Sequence, residues 1–211
     1  MARNLGFLLL VIHALLLGLA AADWNILNQK KVKYGLQITL KNYCESWRMN
    51  VELHNIRDFD VVPEECVSYI GKYMTSTQYK VDSEMTIDEC TVYLSTSCGL
   101  KKDGTDAWIF DIDDTFFPPS LTTRKTGSGC LRSATIDNLV DVGYHGWTSL
   151  ILRGPDDENK DIQKYKADVR KQLISSGYRI WGILGDQWSS VEGLPTAKRT
   201  FKLPNPLYYV A

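Results

Sequence analysis

Apolar and polar positions along the chain predict helices first and a parallel sheet later. A rough helical stripe of Tyr79, Val81, Met85 and Val92 runs through residues 78–95, and Pro63 marks a helix start or turn before it. Residues 107–111 are apolar on both faces, which predicts a strand inside a sheet. Pro118-Pro119 and Gly127-Ser128-Gly129 then forbid a long regular element, so 116–129 reads as a loop. A helix follows, with Ile136, Leu139 and Val140 on one face and Gly143 at its C-terminal end. Residues 148–152 read as a second buried strand, closed by Gly154-Pro155. The best periodicity belongs to Ile162, Tyr165, Val169 and Leu173, one stripe of a helix stopped by Gly177. Residues 179–184 form a further strand and run into Gly185-Asp186-Gln187-Trp188. The fold class is therefore α/β, a parallel sheet flanked by helices and preceded by a helical extension.

Residues 1–22 change the picture at the N-terminus. Arg3, an apolar run from 5 to 19 interrupted by His13 and glycines, and Ala20-Ala21-Ala22 read as a secretory signal cleaved after Ala22. The run is short for a membrane span and no second one of that length follows, so no membrane association is expected after its removal. Residues 23–100 are the helical extension and 101–211 the core. With 24 basic and 25 acidic residues and no basic patch, nothing suggests a nucleic-acid partner. Export permits disulfides. Cys44, Cys66, Cys90 and Cys98 precede the 107–111 strand and could form two bridges in any of three pairings, leaving Cys130 over. No Asn-x-Ser/Thr sequon is present.

The candidate chemistry lies at strand tips. Asp111 and Asp113 follow one strand and Asp186 follows another, at the edge where open α/β sheets bind ligands. In a parallel sheet with neighbouring tips, three carboxylates meet around one point and need a cation such as Mg²⁺ to coexist ionised. Lys166 sits at the rim of its helix stripe, within reach of the sheet edge. His54 and His145, the two histidines after the leader, are too few for a histidine-rich dinuclear metal site and read as structural.

Together with Tyr43-Cys44-Glu45-Ser46-Trp47-Arg48, Gly143-Tyr144-His145-Gly146-Trp147, Leu150-Ile151-Leu152-Arg153-Gly154, Gly185-Asp186-Gln187-Trp188 and Phe201-Lys202-Leu203-Pro204-Asn205-Pro206, the motif Phe110-Asp111-Ile112-Asp113-Asp114-Thr115 resembles the haloacid-dehalogenase (HAD) superfamily. The resemblance is closest to the plant secreted acid phosphatases and vegetative storage proteins, and it covers nearly all of the chain after the leader. It implies a HAD-like Rossmannoid fold, small phosphate monoesters as substrates, a vacuolar or cell-wall destination, and a homodimer or heterodimer as an assembly. It also implies roles. Asp111 would attack phosphorus, Asp113 would serve as acid and then base, Lys166 would bind phosphate, and Mg²⁺ would be held by Asp111, Asp186 and the carbonyl of Asp113.

The chain departs from that pattern in two places. Between Thr115 and the helix near Leu131 the family carries a cap, the second core strand and a phosphate-gripping Ser or Thr, whereas here only a short segment remains. Thr122-Thr123-Arg124 imitates Ser-x-Arg without a strand to aim it, and an internal deletion explains the junction. The missing strand would lie between the 107–111 and 148–152 strands, so its loss strands their backbone groups unless the two pair directly. Ser190 stands where many relatives carry an acid, which predicts weakened metal binding. Retention of Asp111 favours a phosphatase over a storage protein that uses the same fold as a nitrogen reserve; a catalytically silent variant is the third reading.

Overall fold

The computed structural model describes residues 38–210 apart from 102, 114, 116–129 and 158. The expected leader, the loop at 116–129 and Thr122 therefore lie outside the described residues.

The extension folds as helices. Helix α1 (Leu40–Glu52) begins where the Thr39 hydroxyl accepts the Asn42 amide, an N-cap that satisfies one of the first turn's orphan donors. A 3₁₀ turn (Glu64–Cys66) opens after Pro63, and α2 (Val67–Met74) and α3 (Thr77–Thr96) follow. Cys44 and Cys66 are joined in a disulfide buried among Trp47, Val51 and Ile70. Cys90 and Cys98 are free thiols, so one bridge forms among these four cysteines where two were open. Helix α3 matches the expected span but buries none of its residues, and Val81, Met85 and Val92 are exposed. Periodicity predicted the helix correctly but not a layer to cover its stripe.

The core carries a three-stranded parallel sheet, β1 (Asp106–Phe110), β2 (Arg179–Gly185) and β3 (Arg199–Lys202), in the order β1-β2-β3. Helices α4 (Cys130–Asp141) and α5 (Ile162–Ser175) lie in the crossover from β1 to β2, and α6 (Trp188–Val191) lies between β2 and β3. Both long crossover helices end as expected. Tyr144 N–H reaches the Leu139 carbonyl and Gly143 N–H that of Val140, while Tyr178 and Gly177 repeat the pattern on Leu173 and Ile174. Each glycine has a φ near +90° that a side chain would resist, as a Schellman cap requires.

Three expectations are corrected here. Residues 148–152 take no part in the sheet. They are tied instead to α4 by Arg132, which donates to the Leu150 carbonyl at 3.0 Å. Consequently β1 is an edge strand among the described residues, only half-buried, and β2 is the interior one. Finally, the buried arc of α5 centres on Ala167 and Arg170. Tyr165 and Val169 face away to line a cavity of about 260 Å³ with Ile151 and Leu152.

Glycine at 182 has a specific use in β2. A Cβ there would come within 2.3 Å of the Trp108 ring, so the absent side chain lets the indole lie flat on the strand. Trp108 then stacks on Phe201, at 6.0 Å between centroids, over Leu184 and Leu203. The extension docks on this core through His54, which stacks on Trp188 at 4.3 Å. Its ring nitrogens meet Glu192 at 2.8 Å and Tyr209 at 3.1 Å.

Candidate active site at the strand tips

The ladder delivers Asp111 to the rim. One residue past β1, its amide still donates to the Leu184 carbonyl at 2.9 Å, so its backbone is fixed by the same register as the strand. Its side chain is half-buried. Lys166 comes from α5 and places Nζ 2.8 Å from Asp111 Oδ2, the reach over the sheet edge that its stripe position predicts. Ser190, from α6, completes a triangle: it accepts from Lys166 Nζ at 2.8 Å and donates to the same Asp111 oxygen. Asp111 Oδ1 accepts the Ile112 amide at 3.1 Å.

Gly185 makes the triangle geometrically accessible. A Cβ at this position would stand 2.7 Å from Ser190 Cβ and 3.2 Å from Asp111 Cβ, so only glycine lets the strand tip and α6 approach this closely. Arg170, one helical turn after Lys166, fixes the other side. Arg170 is 2 % exposed, and among the described residues its guanidinium donates to carbonyls: Nε to Pro195 at 2.7 Å, Nη1 to Ser190 at 3.2 Å, and Nη2 to Gly193 at 3.1 Å and to Glu192. Burial lowers its pKa from the ordinary arginine value.

Asp186 is fully buried at the tip of β2 and accepts from hydroxyl and amide donors. Thr115 Oγ1 reaches its Oδ1 at 3.1 Å, while Asn205 Nδ2 at 2.7 Å and Gln187 Nε2 at 3.2 Å reach Oδ2. Thr115 belongs to the same motif as Asp111 and Asp113, so the two strand tips are brought together as expected. Asp113 is exposed at the rim.

The oxygen donors are of the class that suits a hard cation. Their arrangement is not. Among the described residues no three acidic, histidine or cysteine side chains come together as metal ligands. Among the described residues the expected carboxylate triad is not gathered as a set of metal ligands; ammonium and hydroxyl contact Asp111 Oδ2, and amide and hydroxyl donors reach both oxygens of Asp186. Ser190, Arg170, Thr115 and Asn205 were not among the expected site residues. The first two carried a readable signal, Ser190 as a departure from a motif and Arg170 as a cation four residues after Lys166.

A family model described as HAD superfamily, subfamily IIIB (acid phosphatase), matches residues 29–121 and 120–211. The chain belongs to this family. Acid phosphatase 1 of Solanum lycopersicum is 33 % identical over 213 aligned positions, covering 79 % of this chain and 83 % of the relative. Vegetative storage protein 2 of Arabidopsis thaliana is 35 % identical and covers 84 % of each chain. The Stem 28 kDa glycoprotein of Glycine max is 33 % identical, covering 79 % of this chain and 84 % of the relative. The first alignment spans 213 positions yet uses only 79 % of 211 residues, so the relative carries a stretch that this chain lacks. The two matched pieces of the family model meet at 120–121, inside the segment where the deletion was expected.

Proposed function

We propose that this chain is a phosphomonoesterase in which Asp111 is the nucleophile. A carboxylate oxygen of Asp111 attacks phosphorus, the ester oxygen leaves, and the proton it needs comes from Asp113 at the same rim; water activated by the Asp113 carboxylate then hydrolyses the aspartyl-phosphate. Lys166 screens the phosphoryl charge as the Asp111 oxygen approaches. The observation that carries this reading is the ammonium of Lys166 lying 2.8 Å from Asp111 Oδ2 at the C-terminal edge of a parallel sheet. Mg²⁺ is the cation the resemblance implies, with Asp111, Asp186 and the Asp113 carbonyl to hold it; it would supply charge neutralisation on the phosphoryl oxygens, and no step above depends on it.

A secretory destination belongs to the same reading. The Cys44–Cys66 bridge suits an oxidising compartment, and among the described residues no helix is long and apolar enough to cross a membrane.

The test is hydrolysis of p-nitrophenyl phosphate by the purified protein at acidic pH with Mg²⁺, beside Asp111→Asn. The variant is expected to lose at least about 10³-fold in kcat. Equal rates would remove Asp111 from the mechanism. A folded wild type without activity would favour the second reading, a storage role, which rests on the vegetative storage protein relatives and on the absent segment between Thr115 and α4.

A further inference from the structure

A divalent cation at this rim would need Asp111 and Asp186; Asp111 already has its charge met by the Lys166 ammonium, and hydroxyl and amide donors occupy both oxygens of Asp186. The triangle of Lys166, Ser190 and Asp111 supplies a full positive charge and two hydrogen bonds to one carboxylate oxygen. Mg²⁺ demands near-octahedral oxygen ligands at ~2.0–2.1 Å and gives up water reluctantly. To bind Asp111 it would have to displace the ammonium or sit beside it, and a dication next to an ammonium in a half-buried site is repelled.

We propose that Ser190 makes Lys166 the resident cation of Asp111, so that this chain binds Mg²⁺ only weakly at the rim. Ser190 is the hinge of the arrangement because its hydroxyl can accept from Lys166 and donate to Asp111 at once, which neither an apolar nor an acidic side chain could do. Its place is enforced from two directions. Arg170 holds its carbonyl and the next turn of chain from α5, the helix that also delivers Lys166, and Gly185 leaves room for its Cβ. An acid at this position would instead draw Lys166 to itself, release Asp111, and add a third carboxylate beside Asp111 and Asp186.

The inference rests on the same placement of Asp111 as the proposed reaction but does not depend on turnover. Isothermal titration of the purified chain with MgCl₂, without substrate, therefore tests it separately from the p-nitrophenyl phosphate assay. Wild type is expected to show no saturation below ~10 mM, weaker than typical protein sites for divalent ions. Ser190→Asp should bind at least about tenfold more tightly, and Ser190→Thr, which keeps the hydroxyl, should behave as wild type. Saturation of wild type below ~1 mM overturns the proposal, as does a folded Ser190→Asp that binds no better. Should Ser190→Asp fail to fold, Lys166→Met decides: removing the ammonium is expected to tighten Mg²⁺ binding, and unchanged binding overturns the proposal.

Discussion

At the start of the β1–β2 pair, Asp106 and Asp103 take a guanidinium fork; at its far end, Asp111 takes one ammonium and one hydroxyl. Arg179 reaches Asp106 at 2.7 Å and Asp103 at 2.6 Å, and Trp181 Nε1 and the Lys101 amide add bonds to Asp106 at 2.9 and 2.6 Å. A planar fork with added donors saturates the carboxylates and leaves little for a ligand to use. Asp111 is gripped through one oxygen, while Oδ1 meets only the amide of its neighbour among the described residues. The same two strands thus carry a closed ion pair at one end and a poised one at the other. What differs is the cation's geometry and the number of donors around it.

That contrast breaks most readily at Arg170, which positions the poised end. Arg170→Met would leave the carbonyls of Ser190, Gly193 and Pro195 without their donor in a buried place, at roughly 1–3 kcal/mol for each that cannot find water. We expect a loss of about 3 kcal/mol in unfolding free energy by urea denaturation, together with a fall in any Asp111-dependent hydrolysis. A loss below about 1 kcal/mol would mean that the loop after α6 holds itself.

Gly185→Ala is a gentler break in the same place. The added methyl must push Ser190 or Asp111 aside, and overpacking of this size costs about 1–3 kcal/mol. The expected signature is a drop in catalytic rate larger than the drop in stability warrants, because the displaced groups are those of the triangle. A variant that unfolds early but keeps the wild-type rate in its folded fraction would show that the close approach serves packing alone.

How these two ends are arranged was only partly legible in the sequence. The apolar run before Asp111, the run before Asp186 and the stripe ended by Gly177 gave β1, β2 and α5, because each is a local pattern read by a local rule. Lys166 could be placed for the same reason. Residues 148–152 misled, since an apolar run forms a strand only where a neighbour offers a ladder, and these residues pair with none of the three strands. Val81, Met85 and Val92 misled likewise: periodicity says which side chains share a face but not whether anything covers it. Nor does the sequence show that Thr115 and Asn205, 71 and 19 residues from Asp186, would donate to its carboxylate.

At the closed end the effects should be smaller, beginning with Asp106→Asn. It keeps the shape, lowers the charge that Arg179 meets, and preserves an acceptor for Trp181, so its thermal midpoint should fall less than that of Gly185→Ala. A fall as large would make the closed end a folding determinant in its own right.

Asp103→Asn is expected to do least at neutral pH, because Asp103 is exposed and screened by solvent. Its effect is in the pH dependence. Arg179, with the Thr105 hydroxyl and amide, holds the Asp103 carboxyl well below the usual carboxylate range. A depressed folded pKa contributes stability that is fully present above the unfolded value of ~3.9 and is lost as pH falls from there towards the folded value. Wild-type thermal midpoints should therefore decline below about pH 4, and Asp103→Asn, having no proton to gain at this site, should decline less steeply over the same range. Parallel curves for the two proteins would show that the fork holds Asp103 too loosely to matter and that Asp106 alone closes this end of the strand pair.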